Sequence, residues 1–455
     1  MKYQGNPPVA TRLQPLITES TILGKVLTRP RFVQPEYPEA DIQYTILARS
    51  LFDLGRPYQS KGDIEQRVYR CDGGCKDSKY PGLAQVCEVV DFADKLAKRT
   101  ASRRFYTPLY GVTEVLRNST LSPALMGITL MGQAPILKRR ADGSCSTIGG
   151  YNLTKSAHRV QYRDQLIKLL RAEKGTCREG AGLGATGYSE QAVLEPAHRV
   201  ALNDESFVLY AKRATPASQP LNKNNPAGSR LRPTMLFAAT HDGLLHAFRV
   251  DRDPNITVQS KLGVGDEMWS WLPHFNAARL RELKLVSSPE ASYLGGNVVA
   301  GHVLLDRAAI DTQKTADRWR AVVVVGAGEG GSGYTAVDVT SPDDPRLLWE
   351  IMPNQLCFGA GSAYGSSGPA CTKLNDFAAM ARSTATPVLG SVFIDRRGQP
   401  QEVGVAVLAG GMPASQSSIA NIGLDGLGKR AVFVVAMESG ELIREFKQSD
   451  LRTAG

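Results

Sequence analysis

His246 is the residue at which chemistry would be sought first. It lies in residues 234–250, TMLFAATHDGLLHAFRV, shortly after an Asp242-Gly243 pair. A neutral imidazole there suits a general base or a metal ligand. Its surroundings point to a quieter role. It alternates with Leu245 and Ala247 on an apolar strand, and no carboxylate or cysteine recurs at fixed spacing from it. The expectation is a hydrogen-bonded structural histidine that braces the Asp242-Gly243 turn. Asp-Gly between two apolar runs is a strong hairpin signal, because glycine takes the positive φ that such turns need.

Three other constellations carry possible chemistry. Asp251-x-Asp253-x-Asn255 has the oxygen spacing that opens a calcium loop, which makes Asp251, Asp253 and Asn255 the metal candidates and calcium the one cofactor in view. The EF-hand pattern wants glycine at its sixth position and glutamate at its twelfth. The chain has Ile256 and Leu262 there, with Pro254 stiffening the middle, so a solvated turn competes with the calcium reading. Residues 326–331, GAGEGG, follow an apolar strand and satisfy G-x-G-x-x-G. A dinucleotide fingerprint needs a helix next, and an apolar strand over 334–339 follows instead, so a wide hairpin is expected. Trp269, Trp271, Trp319 and Trp349 are read as core packing rather than a cofactor platform, given the large apolar area each buries. No Ser-His-Asp order with a nucleophile elbow is present and no acidic pair reads as catalytic. No enzyme is expected.

The seven cysteines include Cys71, Cys75 and Cys87, whose spacing lacks the paired knuckles of a zinc site. Cys357 and Cys371 bracket a Gly/Ser loop, and a disulfide tying off that loop fits an exported protein. The net charge of +10 favours anionic partners or a solvated basic surface. No basic run is interleaved with aromatics, so no nucleic-acid partner is expected. No stretch reaches the roughly 20 apolar residues of a membrane span. The N-terminus shows no apolar signal-peptide core. The chain is therefore cytoplasmic or an internal piece of a longer exported protein.

At 455 residues, more than one core is expected. Residues 1–150 read as an unassigned, partly irregular α+β region. Residues 151–204 read as a helical connector, with an amphipathic helix over 157–173 that places Val160, Leu166, Ile167, Leu169 and Leu170 largely on one face and stops near Gly175. A polar Pro/Asn/Ser loop, 214–233, is the clearest boundary.

From 205 onward, three four-strand units repeat. The first spans 205–273, with strands at 207–212, 235–240, 244–250 and 267–272. The second spans 297–352, with strands at 298–306, 321–326, 334–339 and 346–351. The third spans 385–447, with strands at 387–395, 402–410, 431–437 and 441–446. Each fourth strand carries an aromatic: Trp269 and Trp271, Trp349, Phe446. Asp338 is read as the second unit's counterpart of His246, accepting N–H groups of its turn. Met437 takes that place in the third unit. Such units are what β-propeller blades look like. The expected fold is mainly β, an incomplete propeller of four-stranded antiparallel blades, with a β-sandwich as the alternative.

The run Thr240–Phe248, the Trp269-Ser270-Trp271-Leu272-Pro273 segment, and the Gly-rich stretch from Val325 to Glu350 occur in the order seen in one family. They resemble the propeller of the type IV pilus tip-associated adhesin and biogenesis family, the PilC/PilY type. The resemblance covers about 205–450. It implies a non-enzymatic cell-surface protein that works with major and minor pilins and with host or abiotic surfaces, in pilus assembly, attachment and twitching motility. Loops 354–384 and 411–430 would be its recognition surface. The alternative is a quinoprotein-type dehydrogenase, whose blades also read as strand, Gly turn and Ala-φ-Asp strand, as in residues 334–338 with Trp349. A scaffold propeller inside the cell is a third reading.

Overall fold

The computed structural model describes residues 16–25, 43–52, 61–70, 88–99, 103–109, 112–116, 120–130, 132–187, 189–197, 204–213, 232–250, 262–277, 279–280, 294–307, 312–328, 331–353, 355–358, 371–373, 375–396, 398–411, 431–447 and 450. The fold is mainly β.

Among the described residues, the N-terminal region holds a four-stranded sheet and a helix. Strands β1 (Leu16–Lys25), β2 (Gln43–Phe52), β3 (Lys61–Arg70) and β4 (Glu88–Asp91) form an antiparallel meander, followed by α1 (Phe92–Lys98). The pattern is faint because the buried set mixes Ile46, Ala48 and Ile64 with Ser50 and Gln66. The other face carries charge: Arg49 lies 3.6 Å from both Asp63 and Glu65. Polar residues on both faces weaken the period-2 signal that marks a strand.

Strands β5 (Phe105–Leu109) and β6 (Val112–Val115) come next, then a separate hairpin of β7 (Gln133–Arg139) and β8 (Cys145–Asn152). Helix α2 (Ser156–Leu170) follows, as the periodicity predicts, burying Leu166, Ile167, Leu169 and Leu170; Val160 is at its exposed margin. Gly175 beyond it has φ 81°. A disulfide joins Cys145 to Cys177, with Cα atoms 5.4 Å apart. Closing a loop of 32 residues restricts the unfolded chain. We expect Cys177→Ser to lower the urea-unfolding free energy by about 2–4 kcal/mol relative to oxidised protein.

The next strand is β9 (Ala192–Leu194), and α3 (Glu205–Arg213) stands where the first strand of the first unit is expected. Asp204 makes the difference. Its carboxylate accepts the Ser206 and Phe207 N–H groups at 2.8 and 3.1 Å, an N-cap. Phe207 and Tyr210, three apart, then lie on one helical face against Trp319. The missing edge strand is supplied by β9. It pairs with β10 (Met235–Ala239), which continues into β11 (Leu245–Arg249) and β12 (Glu267–Trp271), and then α4 (His274–Ala277). β12 also pairs, in parallel, with β5, so the sheet order is β6-β5-β12-β11-β10-β9.

The second unit has β13 (Val298–Leu304), β14 (Asp306–Arg307), α5 (Thr312–Ala316), β15 (Trp319–Gly326), β16 (Tyr334–Asp338) and β17 (Arg346–Met352). It continues into β18 (Gln355–Phe358) and β19 (Cys371–Lys373). Its sheet runs β13-β15-β16-β17-β18-β19. The base of the expected 354–384 loop is therefore sheet. Gly326 is followed by a hairpin into β16, not a helix. The third unit has β20 (Val388–Arg396), β21 (Gln399–Ala409), β22 (Ala431–Ala436) and β23 (Leu442–Lys447), with β14 at its margin. Residues 412–430 lie outside the described residues.

These sheets stack in succession. Ile46, Ala48 and Ile64 of the first sheet pack on Leu236, Ala238 and Phe248 of the second. The second's other face, Phe237, Ala239 and Trp269, meets Val298, Val323 and Val325 of the third. The third's opposite face, Val322, Val324 and Trp349, meets Ala406, Leu408 and Phe433 of the fourth. The central strand β15, WRAVVVVG, is apolar on both faces because each faces a core.

One irregularity repeats in three sheets. A bulge falls between Ala247 and Phe248, between Ala336 and Val337, and between Val434 and Val435. It aligns Trp269 with Trp349 and with Arg444. It also aligns His246 with Thr335, since these face Ser270 and Glu350 respectively. Asp338 is thus not the counterpart of His246, and Phe446 matches Trp271 rather than Trp349. Both tryptophans donate their indole N–H to a backbone carbonyl in the next unit's turn: Trp269 to Pro342 at 2.8 Å, Trp349 to Met437 at 2.9 Å.

Candidate functional site

The Asp242-Gly243 hairpin has a three-residue loop. Thr240 N donates to Leu244 O at 2.9 Å, and Gly243 N to Thr240 O at 2.9 Å. Gly243 takes φ 92°, the left-handed position that closes such loops. The segment after α2 folds over this loop: His241 N donates to Ala185 O at 2.7 Å. Closeness is possible because residue 184 is glycine; a Cβ there would sit 2.6 Å from Asp242 Oδ1.

Beneath the loop lies a buried polar network. His246 Nδ1 is 2.7 Å from Glu267 Oε1, and Nε2 is 3.2 Å from Thr240 Oγ1. Thr240 in turn donates to Asp242 Oδ1. Arg103 grips Glu267 with two hydrogen bonds, Nε to Oε2 at 2.6 Å and Nη2 to Oε1 at 2.7 Å. The Ser270 hydroxyl adds a third contact to Oε1 at 2.5 Å. Arg178 Nη2 donates to Asp242 Oδ2 at 2.6 Å. Phe248 stacks parallel to the His246 ring, with centroids 5.8 Å apart.

Burial would raise the Glu267 carboxyl, but Arg103 and His246 overcome it and hold it well below the ordinary range. Burial likewise opposes ionisation of Asp242, yet Arg178, His246 and the Thr240 hydroxyl hold it low. His241 is pushed down to about 4 by burial, against the pull of Asp242. It is neutral at physiological pH.

The sequence Thr240, His246, Glu267 reproduces the hydroxyl–imidazole–carboxylate connectivity of a nucleophilic triad. All three side chains are buried, and Thr240 is engaged by Asp242 and by Leu244 O, at 3.0 Å to the latter. The arrangement ties together the β10–β11 loop, β12 and the chain around Arg103, and so joins segments more than 160 residues apart. His246 bonds to Thr240 of the turn and to Glu267, partners the sequence reading lacks. Glu267 carried a signal, as the one acid in the apolar strand EMWSW. Arg103 and Arg178 carried none, because their contacts are long-range.

The other expected residues are placed as follows. Trp271 and Trp349 are fully buried in the inter-sheet cores. Asp338 Oδ1 accepts the Thr340 N–H at 2.8 Å. Cys357 is disulfide-bonded, and the strand register sets Cys371 directly opposite it. Asp251, Asp253, Asn255, Cys71, Cys75 and Cys87 lie outside the described residues. Among the described residues, no cluster of three or more His, Cys, Asp or Glu side chains is placed to hold a metal. Among the described residues, no helix is long and apolar enough to cross a membrane.

Another buried acid stands where Ser270 stands in the preceding sheet. Glu350 Oε1 accepts His274 N–H at 2.9 Å. Oε2 and the Thr335 hydroxyl across the strand pair find no partner of good hydrogen-bond geometry. Among the described residues no cation compensates it, and burial pushes the carboxyl up to about 8 against the His274 N–H and Thr335. The native state thus binds a proton that the unfolded chain, with a value near 4.5, releases earlier. Its stabilising contribution is full below pH 4.5 and is lost as pH rises towards about 8. We expect urea midpoints between pH 5 and 8 to fall with pH, and to fall less in Glu350→Gln.

No protein-family model matches the chain. It is 27% identical over 198 residues to the type IV pilus biogenesis factor PilY1 of Pseudomonas aeruginosa, covering 43% of this chain and 14% of that protein. It is 30% identical over 119 residues to a PilY1 homolog of Xylella fastidiosa, covering 26% of this chain and 8% of the relative. The aligned stretches are thus a small part of these much longer relatives. The crystal structure of the P. aeruginosa PilY1 C-terminal domain aligns at 18% identity and a TM-score of 0.27, covering 50% of this chain and 32% of that one; so loose a superposition carries no argument. By its motifs and by these relatives, the chain is similar to the PilY1-type biogenesis factors of type IV pili.

Proposed function

We propose that the chain is a non-enzymatic, cell-surface component of a type IV pilus system, built as a β-propeller scaffold. It would act in pilus assembly with major and minor pilins, and in attachment and twitching, by displaying loops from a rigid stack. The observation that carries this is the similarity to PilY1 over 198 residues. The propeller reading is supported by the succession of packed sheets and by the repeated bulge and indole bridges. Calcium enters only through Asp251, Asp253 and Asn255; calorimetry with calcium should show saturable binding that Asp251→Asn abolishes. The functional test is deletion of the gene carrying this chain. Surface pili, attachment and twitching should fall and return on complementation; all three unchanged would overturn the proposal.

A further inference from the structure

We propose that the outer edge of β8 receives an extended peptide strand bearing acidic residues, which joins the β7–β8 hairpin as a third strand. Among the described residues this hairpin pairs with no other strand. Its two edges differ. Along β7 the Gln165 side chain stands in for a neighbouring strand: Oε1 accepts Leu137 N–H at 2.9 Å and Nε2 donates to Pro135 O at 3.0 Å. Along β8, among the described residues, only the end is closed, where Asn152 N donates to His158 Nδ1 at 2.9 Å.

Gly150 lies opposite Pro135 in the ladder. Pro135 turns its carbonyl out to Gln165, so the pair is of the non-hydrogen-bonded kind, and Gly150 turns its own N–H and C=O outward. Thr147, Ile148, Gly149 and Gly150 are exposed, Ile148 by 59%. The strand, CSTIGGYN, contains no charge and no proline, two of the devices that normally blunt an edge; its one irregularity is a bulge at Ile148, between Gly149 opposite Ile136 and Thr147 opposite Leu137. The Cys145–Cys177 disulfide fixes it to the body, so little ordering is needed before a strand is added.

Charge selects the partner. Within residues 133–152 the charged side chains are Lys138, Arg139, Arg140 and a single acid, Asp142. Arg139 is paired with Glu179 at 3.3 Å. Lys138, on β7, and Arg140, just past its end, are exposed one strand spacing behind the edge, and Lys155 is exposed beyond its far end. Glutamates of an added strand would face Lys138 and Arg140 across the uncharged β8, at two strand spacings or about 10 Å, so the attraction is long-range and falls with salt.

The test uses the disulfide-intact chain and a capped heptapeptide, Thr-Val-Glu-Val-Thr-Val-Glu, with two copies N-methylated on one or the other set of alternate residues. We expect amide exchange within 145–152, Gly150 included, to slow about tenfold or more at saturating peptide. Binding should weaken with salt, and one methylated copy should fail. Gly150→Pro, which removes the outward N–H, and Ile148→Glu, which repels the peptide, should abolish the protection with the thermal midpoint and disulfide map unchanged. The proposal is overturned by absent protection at millimolar peptide. It is equally overturned by binding that both methylated copies retain, or by Ile148→Glu binding as wild type.

Discussion

Glu267→Gln should destabilise the protein by about 3–5 kcal/mol, the cost of breaking a buried ion pair by removing one partner. The substitution keeps the shape of the side chain and removes its charge. Arg103 then remains 10% exposed without the carboxylate that grips it, and Arg99, 3.9 Å from the same acid, loses its stronger acidic neighbour and keeps Asp266. His246 loses its strongest acceptor. Urea unfolding of the oxidised protein measures this directly. The pH dependence has a defined sign. Both Glu267 and Asp242 are held below their unfolded values. A carboxylate of this kind contributes stability above the unfolded value, near 4.5 for Glu and 3.8 for Asp, and loses it as pH falls towards the native value. Acid unfolding of wild type should therefore set in below about pH 4.5, and Glu267→Gln should show a shallower acid limb.

Trp349→Ala should cost a similar amount, about 3–5 kcal/mol, through the cavity it leaves in a close-packed core. Its ring is fully buried between the third and fourth sheets, with the Gly440 backbone lying against it. Trp349→Phe keeps most of the apolar contact and removes the N–H donated to Met437 O. That variant should lose about 1–3 kcal/mol, because a buried carbonyl is left unpaired. The difference between the two variants separates packing from the inter-sheet hydrogen bond. Trp269, bridged in the same way to Pro342, should show the same ordering.

The second and third units were legible because their strands are apolar runs bounded by turn residues, and their burial follows those runs. The first sheet was not, because Gly62, Gln66 and Ser50 occupy inward positions where large apolar residues would reveal the period. The segment after Asp204 misled through composition. Phe207, Val208, Leu209 and Tyr210 suit a strand by type, and only the Asp204 cap and the spacing of Phe207 and Tyr210 favour the helix. In the site, His246 and the loop were legible because they are local. Its partners Arg103 and Arg178 were not, since sequence spacing does not disclose contacts set by the packing of distant segments. The equivalence of His246 with Thr335 required the ladder register, which a one-residue bulge shifts.

The central claim is that the buried Thr240–His246–Glu267 array is a brace within a scaffold and performs no chemistry. Complementing the deletion strain with Thr240→Val tests it most directly, since this change removes the hydroxyl that a triad would need while preserving the side-chain shape. We expect surface pili in proportion to the folded protein present, reaching wild-type number at wild-type protein level. Wild-type levels of folded Thr240→Val protein with no restored pili would contradict the claim.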